Sequence, residues 1–259
     1  MINIMSIVIA FYNFRIPTDG YFIPNTSTQT QKFMKKICDW TKENKRLLNK
    51  KKSNAMLFNF TNKFQFTARI KMEDDVIELI KETKLLGVIV NDRLNWNSNT
   101  AFLVKRANAR MRLLHKLVEF EVPQEDLINI YVLYVRSILE QSCQVWHSSL
   151  SLENFQDLER VQKNALRIIL KDDYLSYSNA LNATGLATLF ERRSQLCLKF
   201  AQSCLKNDQM KKIFPLNDVD LTMDTRFREK FKVTAARTER LKNSAVPYMQ
   251  RLLNSAAKK

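Results

Sequence analysis

Apolar residues recur along this chain with two different periods. From Thr28 to Arg46, Phe33, Ile37 and Trp40 fall at helical spacing while lysines fill the positions between, which predicts an amphipathic helix with a basic outer face. The runs that follow, NAMLFNF, FQFTARIKM and DVIELI, are short and rich in aromatic or β-branched residues, and TKLLGVIVNDRLNW comes after them. They predict antiparallel strands and a hairpin lying against the first helix, so the chain up to about Trp96 reads as the end of an α+β domain. The opening MINIMSIVIAFY reads as a strand or as the remnant of a chain start, since it lacks a basic leader and a cleavage site and is too short to span a bilayer.

After Trp96 the period is helical throughout. Asn97 or Ser98 is placed to cap a helix whose inward stripe is Leu103, Ala107, Met111, Leu114 and Leu117. Pro123 opens a long apolar helix predicted to run to about Trp146, with Leu127, Ile130, Tyr131, Tyr134, Ile138 and Leu139 inward. Ser151 caps a third helix with Phe155, Leu158, Val161, Ala165 and Ile168 on one side. Thr188 caps a fourth, carrying Leu189, Leu196, Phe200 and Cys204, and Pro247 is placed to begin a short one. The fold class expected is mainly α with a small α+β N-terminal part. Only three glycines and five prolines occur in 259 residues, which disfavours tightly turned all-β architectures and glycine-rich phosphate loops.

Charge narrows the function classes. The formal net charge is +16, an excess most easily kept by a protein whose partner is a polyanion, so nucleic acid is the first expectation. The excess is uneven: Lys32 to Lys52 holds nine Lys/Arg against two acids, whereas Glu121 to Arg160 holds two against seven. From Arg226 onward there are ten basic residues and two acidic ones. With no secretory signal, the four cysteines are expected as reduced thiols, and no Cys-x2-Cys pair suggests a zinc knuckle. The location expected is intracellular, nucleus or cytoplasm, without membrane contact.

Three places invite a chemical reading. Within QSCQVWHSS, Cys143 and His147 would share one side of a helix, as two zinc ligands or as a nucleophile with its base would. A structural zinc site needs four ligands, and His115 is the only other histidine; thiols and indoles are among the most buried groups, so packing is favoured. The Asp pairs in EDDV (Glu73 to Val76) and KDDY (Lys171 to Tyr174) are candidates for Mg²⁺, but a polar turn and a helix exit explain them as well.

Taken together the segments resemble something specific. WTKENKRLLNKKKSNAMLF (Trp40 to Phe58) resembles the fourth motif of non-LTR retrotransposon (LINE-like, jockey-type) reverse transcriptases, and ETKLLGVIVNDRLNW (Glu82 to Trp96) resembles the fifth, the primer-grip hairpin with its Leu-Gly step. VKRANARMRLLHKL, IYVLYVRSILEQSCQVWHSSL, LERVQKNALRIIL and ERRSQLCLKFA are similar to the thumb and C-terminal helical region of the same proteins, in the same order over about Gln31 to Leu253. The resemblance implies the end of a palm over 1–96, a thumb-like helix over 97–120, a helical C-terminal region over 121–225 and a basic tail with a short helix over 226–259. It makes the Cys143–His147 segment a structural helix end.

What the resemblance implies for individual residues follows from the matched positions. Lys52 aligns with the fourth-motif lysine that protonates or steadies pyrophosphate, Leu86, Gly87 and Val88 with the primer-grip hairpin, and Lys105, Arg106, Arg110, Arg112 and Lys116 with thumb cations that track the phosphates of a template-primer duplex. The family's Asp-bearing strand, its aromatic-x-Asp-Asp hairpin and the Gly- and Gln-containing helix between them are not recognisable; they would lie upstream of Met1 or in the altered AFYNFRIPTDG region. Arg46 stands where the family pattern is apolar. The expectation is therefore a truncated reverse transcriptase (RNA-directed DNA polymerase) fragment of a transposable element that binds RNA or RNA–DNA hybrid without sequence readout and lacks polymerase activity. No cofactor is expected, although the intact family enzyme uses Mg²⁺. The alternatives are a helical protein-interaction adaptor and, third, a metal-dependent enzyme built on Asp74 and Asp75.

Overall fold

A computed structural model of the chain describes residues 8–12, 26–45, 53–58, 70–73, 75–217 and 230–257. The chain is mainly helical with a few short strands, and divides into two compact units, Met1–Asn95 and Trp96–Lys259.

In the first unit, helix α1 (Thr26–Glu43) buries Met34, Cys38 and Thr41, which recur at i, i+4 and i+7. This line is offset by one residue, about 100° of rotation, from the predicted Phe33, Ile37, Trp40 stripe. Trp40 is accordingly 56% exposed, a correction to its inward assignment. The slimmer Met34 and Cys38 side chains pack with Ala55, Ile70, Met72 and Ile77, and Ile37 lies at the edge of this cluster. The Gln31 amide fixes the helix to the neighbouring chain by donating to the Lys71 carbonyl (2.8 Å) and accepting from the Lys71 N–H (2.9 Å).

The strands also correct the expectation in part. β2 (Asn54–Phe58) lies between β1 (Val8–Tyr12) and β5 (Glu78–Leu79), and both neighbours run parallel to it, with Val8 opposite Asn54 and Asn54 opposite Glu78. A parallel pair needs a crossover, and α1 sits within the connection between β1 and β2. Antiparallel pairing holds for β3 (Lys71–Met72) with β4 (Asp75–Val76), and for the hairpin of β6 (Glu82–Leu85) with β7 (Val88–Asn91). Leu86 and Gly87 turn that hairpin with φ of +47° and +88°, the sign a two-residue turn needs to match strand twist.

In the second unit, α2 (Asn97–Glu119) packs along α6 (Leu152–Leu170). Leu103, Ala107, Met111 and Leu114 are buried as the stripe predicted, while Leu117 is half-buried. Neither Asn97 nor Ser98 caps α2; Trp96 precedes its first turn with no side-chain cap, and Asn97 Oδ1 instead accepts from the Asn154 amide at 2.7 Å.

The long helix expected from Pro123 to Trp146 is broken twice. α3 (Gln124–Ile130) widens into a π-helical turn over Tyr131–Arg136, resumes as α4 (Ser137–Glu140), and stops at Ser142, whose φ is +51°. The short α5 (Cys143–Trp146) follows, and Trp146 Nε1 caps the break by donating to the Gln141 carbonyl at 3.0 Å. Leu127, Tyr131, Val135 and Leu139, four residues apart, are buried; a π turn holds more residues than an α turn and so keeps a four-residue step on one face. Tyr134, predicted inward, is instead 42% exposed.

Both expected caps on the later helices form. Ser151 Oγ accepts from Asn154 N (3.2 Å) at the start of α6, and Thr188 and Glu191 bond reciprocally at the start of α8 (Leu189–Cys204). The buried line of α8 is Leu189, Arg193, Cys197, Ala201 and Cys204, so Phe200 turns outward, again contrary to the predicted stripe. α7 (Tyr177–Thr184), α9 (Glu239–Lys242) and α10 (Ala245–Ala257) complete the unit; α10 begins two residues before Pro247, which lies in its first turn, where no backbone donor is needed.

Candidate nucleic-acid interface

The outer face of α2 carries a row of cations. Lys105, Arg112 and Lys116 are exposed and stand at i, i+7 and i+11, within about 40° of one another around the helix axis and opposite the buried Leu103, Ala107, Met111 and Leu114. The row spans about 16 Å at 1.5 Å per residue. No ion pair forms to these three among the described residues, so their charge faces solvent undiminished.

Arg106 and Arg110 do something else. Both are half-buried where α2 meets the π turn: Arg106 donates to Gln141 Oε1 (3.0 Å) with its guanidinium over Phe102, and Arg110 donates to the Tyr134 carbonyl (2.7 Å). The Arg110 guanidinium also lies 4.1 Å from the centroid of the Tyr134 ring. Two of the five predicted phosphate contacts are therefore engaged in holding α2 to the following segment, and three are presented outward. Helical geometry already turns Arg106 and Arg110 about 100° and 140° away from the row, and their packing partners hold them there.

The other assigned residues fall elsewhere. Leu86, Gly87 and Val88 form the tip of the β6–β7 hairpin, with Leu85 opposite Val88 and the Leu86 side chain 89% exposed. A leucine held at positive φ with its side chain in solvent is strained locally and unpaid by burial. Lys52, Arg46 and Asp74 lie outside the described residues. Asp75 lies in β4 just after the Glu73 turn, and Asp172 and Asp173 lie in a 3₁₀ turn at the exit of α6. Among the described residues no three His, Cys, Asp or Glu side chains gather as a metal would need.

Cys143 and His147 are core groups. Arg193 Nε donates to His147 Nδ1 (3.2 Å), so the ring proton sits on Nε2 and points at Ser194 Oγ (3.1 Å). Ser194 donates to the Phe190 carbonyl and receives the Tyr248 hydroxyl at 2.9 Å. Both imidazole nitrogens are thus occupied, and burial, with the neighbouring Arg193 charge, pushes the His147 pKa down to about 3. The buried Cys197 thiol donates a hydrogen bond to the Cys143 carbonyl at 3.9 Å, and its hydrogen-bonding with Cys143, then burial, raises the Cys197 pKa.

Sequence reasoning missed the polar cluster beneath these residues. Gln162 donates to the Tyr177 hydroxyl (2.9 Å) and the Ala187 carbonyl (3.0 Å) and accepts from the Tyr131 hydroxyl (2.8 Å). Tyr177 donates in turn to Glu159 Oε1, which also accepts from the Leu189 N–H (3.2 Å). Burial first, then the bond to Glu159, raises the Tyr177 pKa. A signal was present: Arg193 lies on the i+4 line Leu189, Cys197, Ala201 of α8, a charge in an apolar stripe. Such a charge must find buried partners.

Comparisons of the chain with family models, curated proteins and solved structures give no match. No helix among the described residues is long and apolar enough to cross a membrane.

Proposed function

We propose that the chain is the C-terminal part of a non-LTR retrotransposon reverse transcriptase, comprising the end of the palm, the thumb and the following helices, and that it binds RNA or RNA–DNA hybrid through its phosphates without carrying out polymerisation. The observation that supports this reading best is the row of Lys105, Arg112 and Lys116 set outward on α2, with Arg106 and Arg110 bracing the helix behind it. A row about 16 Å long matches the rise of roughly five base pairs, so the cations meet the phosphates of one strand edge. Contacts of this kind fix position on a duplex and carry no sequence information. The order of the fourth- and fifth-motif segments ahead of the helices, and the net charge of +16, support the same reading.

Polymerisation by two metals requires carboxylates converging from separate strands, and the motifs that supply them in the family are not among those the chain carries. The test is direct. The purified chain is expected to bind labelled RNA–DNA hybrids of unrelated sequence alike and to incorporate no nucleotide on a primed RNA template with Mg²⁺ or Mn²⁺. Strong sequence preference, or incorporation above a heat-killed control, would overturn the proposal.

A further inference from the structure

Two of the four cysteines meet in the core of the second unit. Cys143 opens the short α5 and Cys197 lies in the middle of α8, and the two are 0% and 1% exposed although 54 residues apart in the chain. The Cys197 thiol lies 3.9 Å from the Cys143 carbonyl, and a side-chain hydrogen bond joins it to the Cys143 sulfur. Both are free thiols. A disulfide holds its sulfurs about 2.05 Å apart and its Cα atoms no more than about 7 Å apart. Thiols in hydrogen-bond contact are one short closure from that geometry.

The other two cysteines are placed elsewhere. Cys204 stands seven residues beyond Cys197 on the same helix, about 10.5 Å along its axis, which exceeds the reach of a disulfide from Cys197. Cys38 is buried in the first unit's own cluster, with Met34 and Ala55.

The paired thiols are not equivalent. The hydrogen bond from Cys197 lowers the Cys143 pKa, burial opposes this, and the Arg193 charge adds to the lowering; the same hydrogen bond raises the pKa of Cys197. Cys143 is therefore the thiol that supplies a nucleophilic thiolate, and Cys197 the one that resolves the product. Burial keeps out a bulky oxidant but not hydrogen peroxide, which enters when α5 opens. That helix is four residues long and is entered through Ser142 at φ +51° with no side-chain cap, the kind of short segment that opens locally.

We propose that Cys143 and Cys197 form a disulfide, driven by hydrogen peroxide, that locks α5 onto α8. The Cys143 thiolate attacks one peroxide oxygen; the O–O bond breaks, Cys143 becomes a sulfenic acid, and the hydroxide released takes up the thiol proton as water. The Cys197 sulfur then attacks the sulfenic sulfur. The S–S bond forms, the S–O bond breaks, and the Cys197 proton leaves with that oxygen as a second water. The two sulfurs together lose two electrons, and the peroxide gains them. Joining residues 54 apart removes conformations from the unfolded chain, so the oxidised unit is the more stable one.

The test treats the full chain with hydrogen peroxide under native conditions, quenches with catalase, alkylates in denaturant, and reads intact mass and crosslinked peptides. The expected product is about 2 Da lighter than the reduced chain before alkylation, is alkylated at Cys38 and Cys204 only, and yields a peptide pair joining Cys143 to Cys197. Its melting temperature should rise by about 4–16 °C and fall back with dithiothreitol. Cys143→Ala and Cys197→Ala should each lose the crosslink and the rise, whereas Cys38→Ala/Cys204→Ala should keep both. All four cysteines alkylated after peroxide, a crosslink to Cys38 or Cys204, a crosslink that forms only in urea, or sulfinic acid at Cys143 without a crosslink would overturn the proposal. So would an oxidised chain that melts no higher than the reduced one. Because the crosslink is mapped in the unaltered chain, the wild-type result decides even where an alanine variant fails to fold.

Discussion

Replacing Arg193 by Met probes the most costly group in the second unit. The Arg193 side chain is fully buried, with Nε on His147 Nδ1 and its guanidinium carbon 5.5 Å from the Trp146 ring, while Nη1 and Nη2 have no hydrogen-bond partner among the described residues. Burial lowers its pKa, and foremost among the charges opposing that is Glu159, itself buried with Oε2 unpartnered. Glu159 thus offsets part of the cost of burying Arg193 without forming an ion pair with it among the described residues, and both side chains keep polar atoms that no hydrogen bond satisfies. Removing Arg193 leaves the buried Glu159 with only its bonds from Tyr177 and the Leu189 N–H, at up to about 3–5 kcal/mol. At about 2–4 °C per kcal/mol for a unit of this size, Arg193→Met should melt roughly 6–20 °C below wild type. Circular dichroism during heating and urea titration reads both quantities. The double variant Arg193→Met/Glu159→Gln removes both charges and should be more stable than the sum of the two single losses requires, by about 0.5–3 kcal/mol. An Arg193→Met protein as stable as wild type, or strictly additive losses, would refute the idea that the two charges compensate one another.

Two further outcomes follow from the same region. Trp146→Ala removes a fully buried indole that also caps the Gln141 carbonyl, and should cost about 3–5 kcal/mol in urea unfolding, while metal analysis should find no stoichiometric zinc with Cys143 and His147. His147 is held neutral in the folded chain with its pKa depressed to about 3, so below its unfolded value near 6.5 the unfolded state binds a proton that the native state does not. Stability that is fully present above about pH 6.5 should therefore fall on acidification by up to about 1.4 kcal/mol per pH unit until the folded pKa is approached. His147→Gln should flatten that dependence; a mutant with the wild-type pH profile would count against it.

The helices were legible where one face is apolar and a cap residue stands at the start. Ser151 and Thr188 bond as their positions suggest, and Leu103, Ala107, Met111 and Leu114 face inward on α2. The sequence was least informative where periodicity is shared by two geometries. Leu127 to Leu139 fits a continuous α-helix and also a helix with a π turn, and only the π turn leaves Tyr134 outside. The parallel order of β1, β2 and β5 was hidden for a related reason, because short apolar runs carry no direction and α1 supplies the crossover. For the candidate interface, charge marked α2 and its helical angle set Arg106 and Arg110 apart from the outward row, but what engages them, Gln141 and Tyr134, lies far along the chain.

The central claim, that α2 binds phosphates through its outward row, is tested most directly by the salt dependence of hybrid binding. Each neutralised phosphate contributes a slope of about −0.9 in log affinity against log salt. Reversing Lys105, Arg112 and Lys116 to Glu should weaken binding to all sequences and flatten the slope by roughly 2.7 units, at 0.9 for each of three contacts. The same reversals at Lys199, Lys206 and Lys212, exposed elsewhere on the unit, change net charge equally and should move the slope by less than about one unit. An unchanged slope in the α2 variant, or an equal flattening in both, would contradict the account.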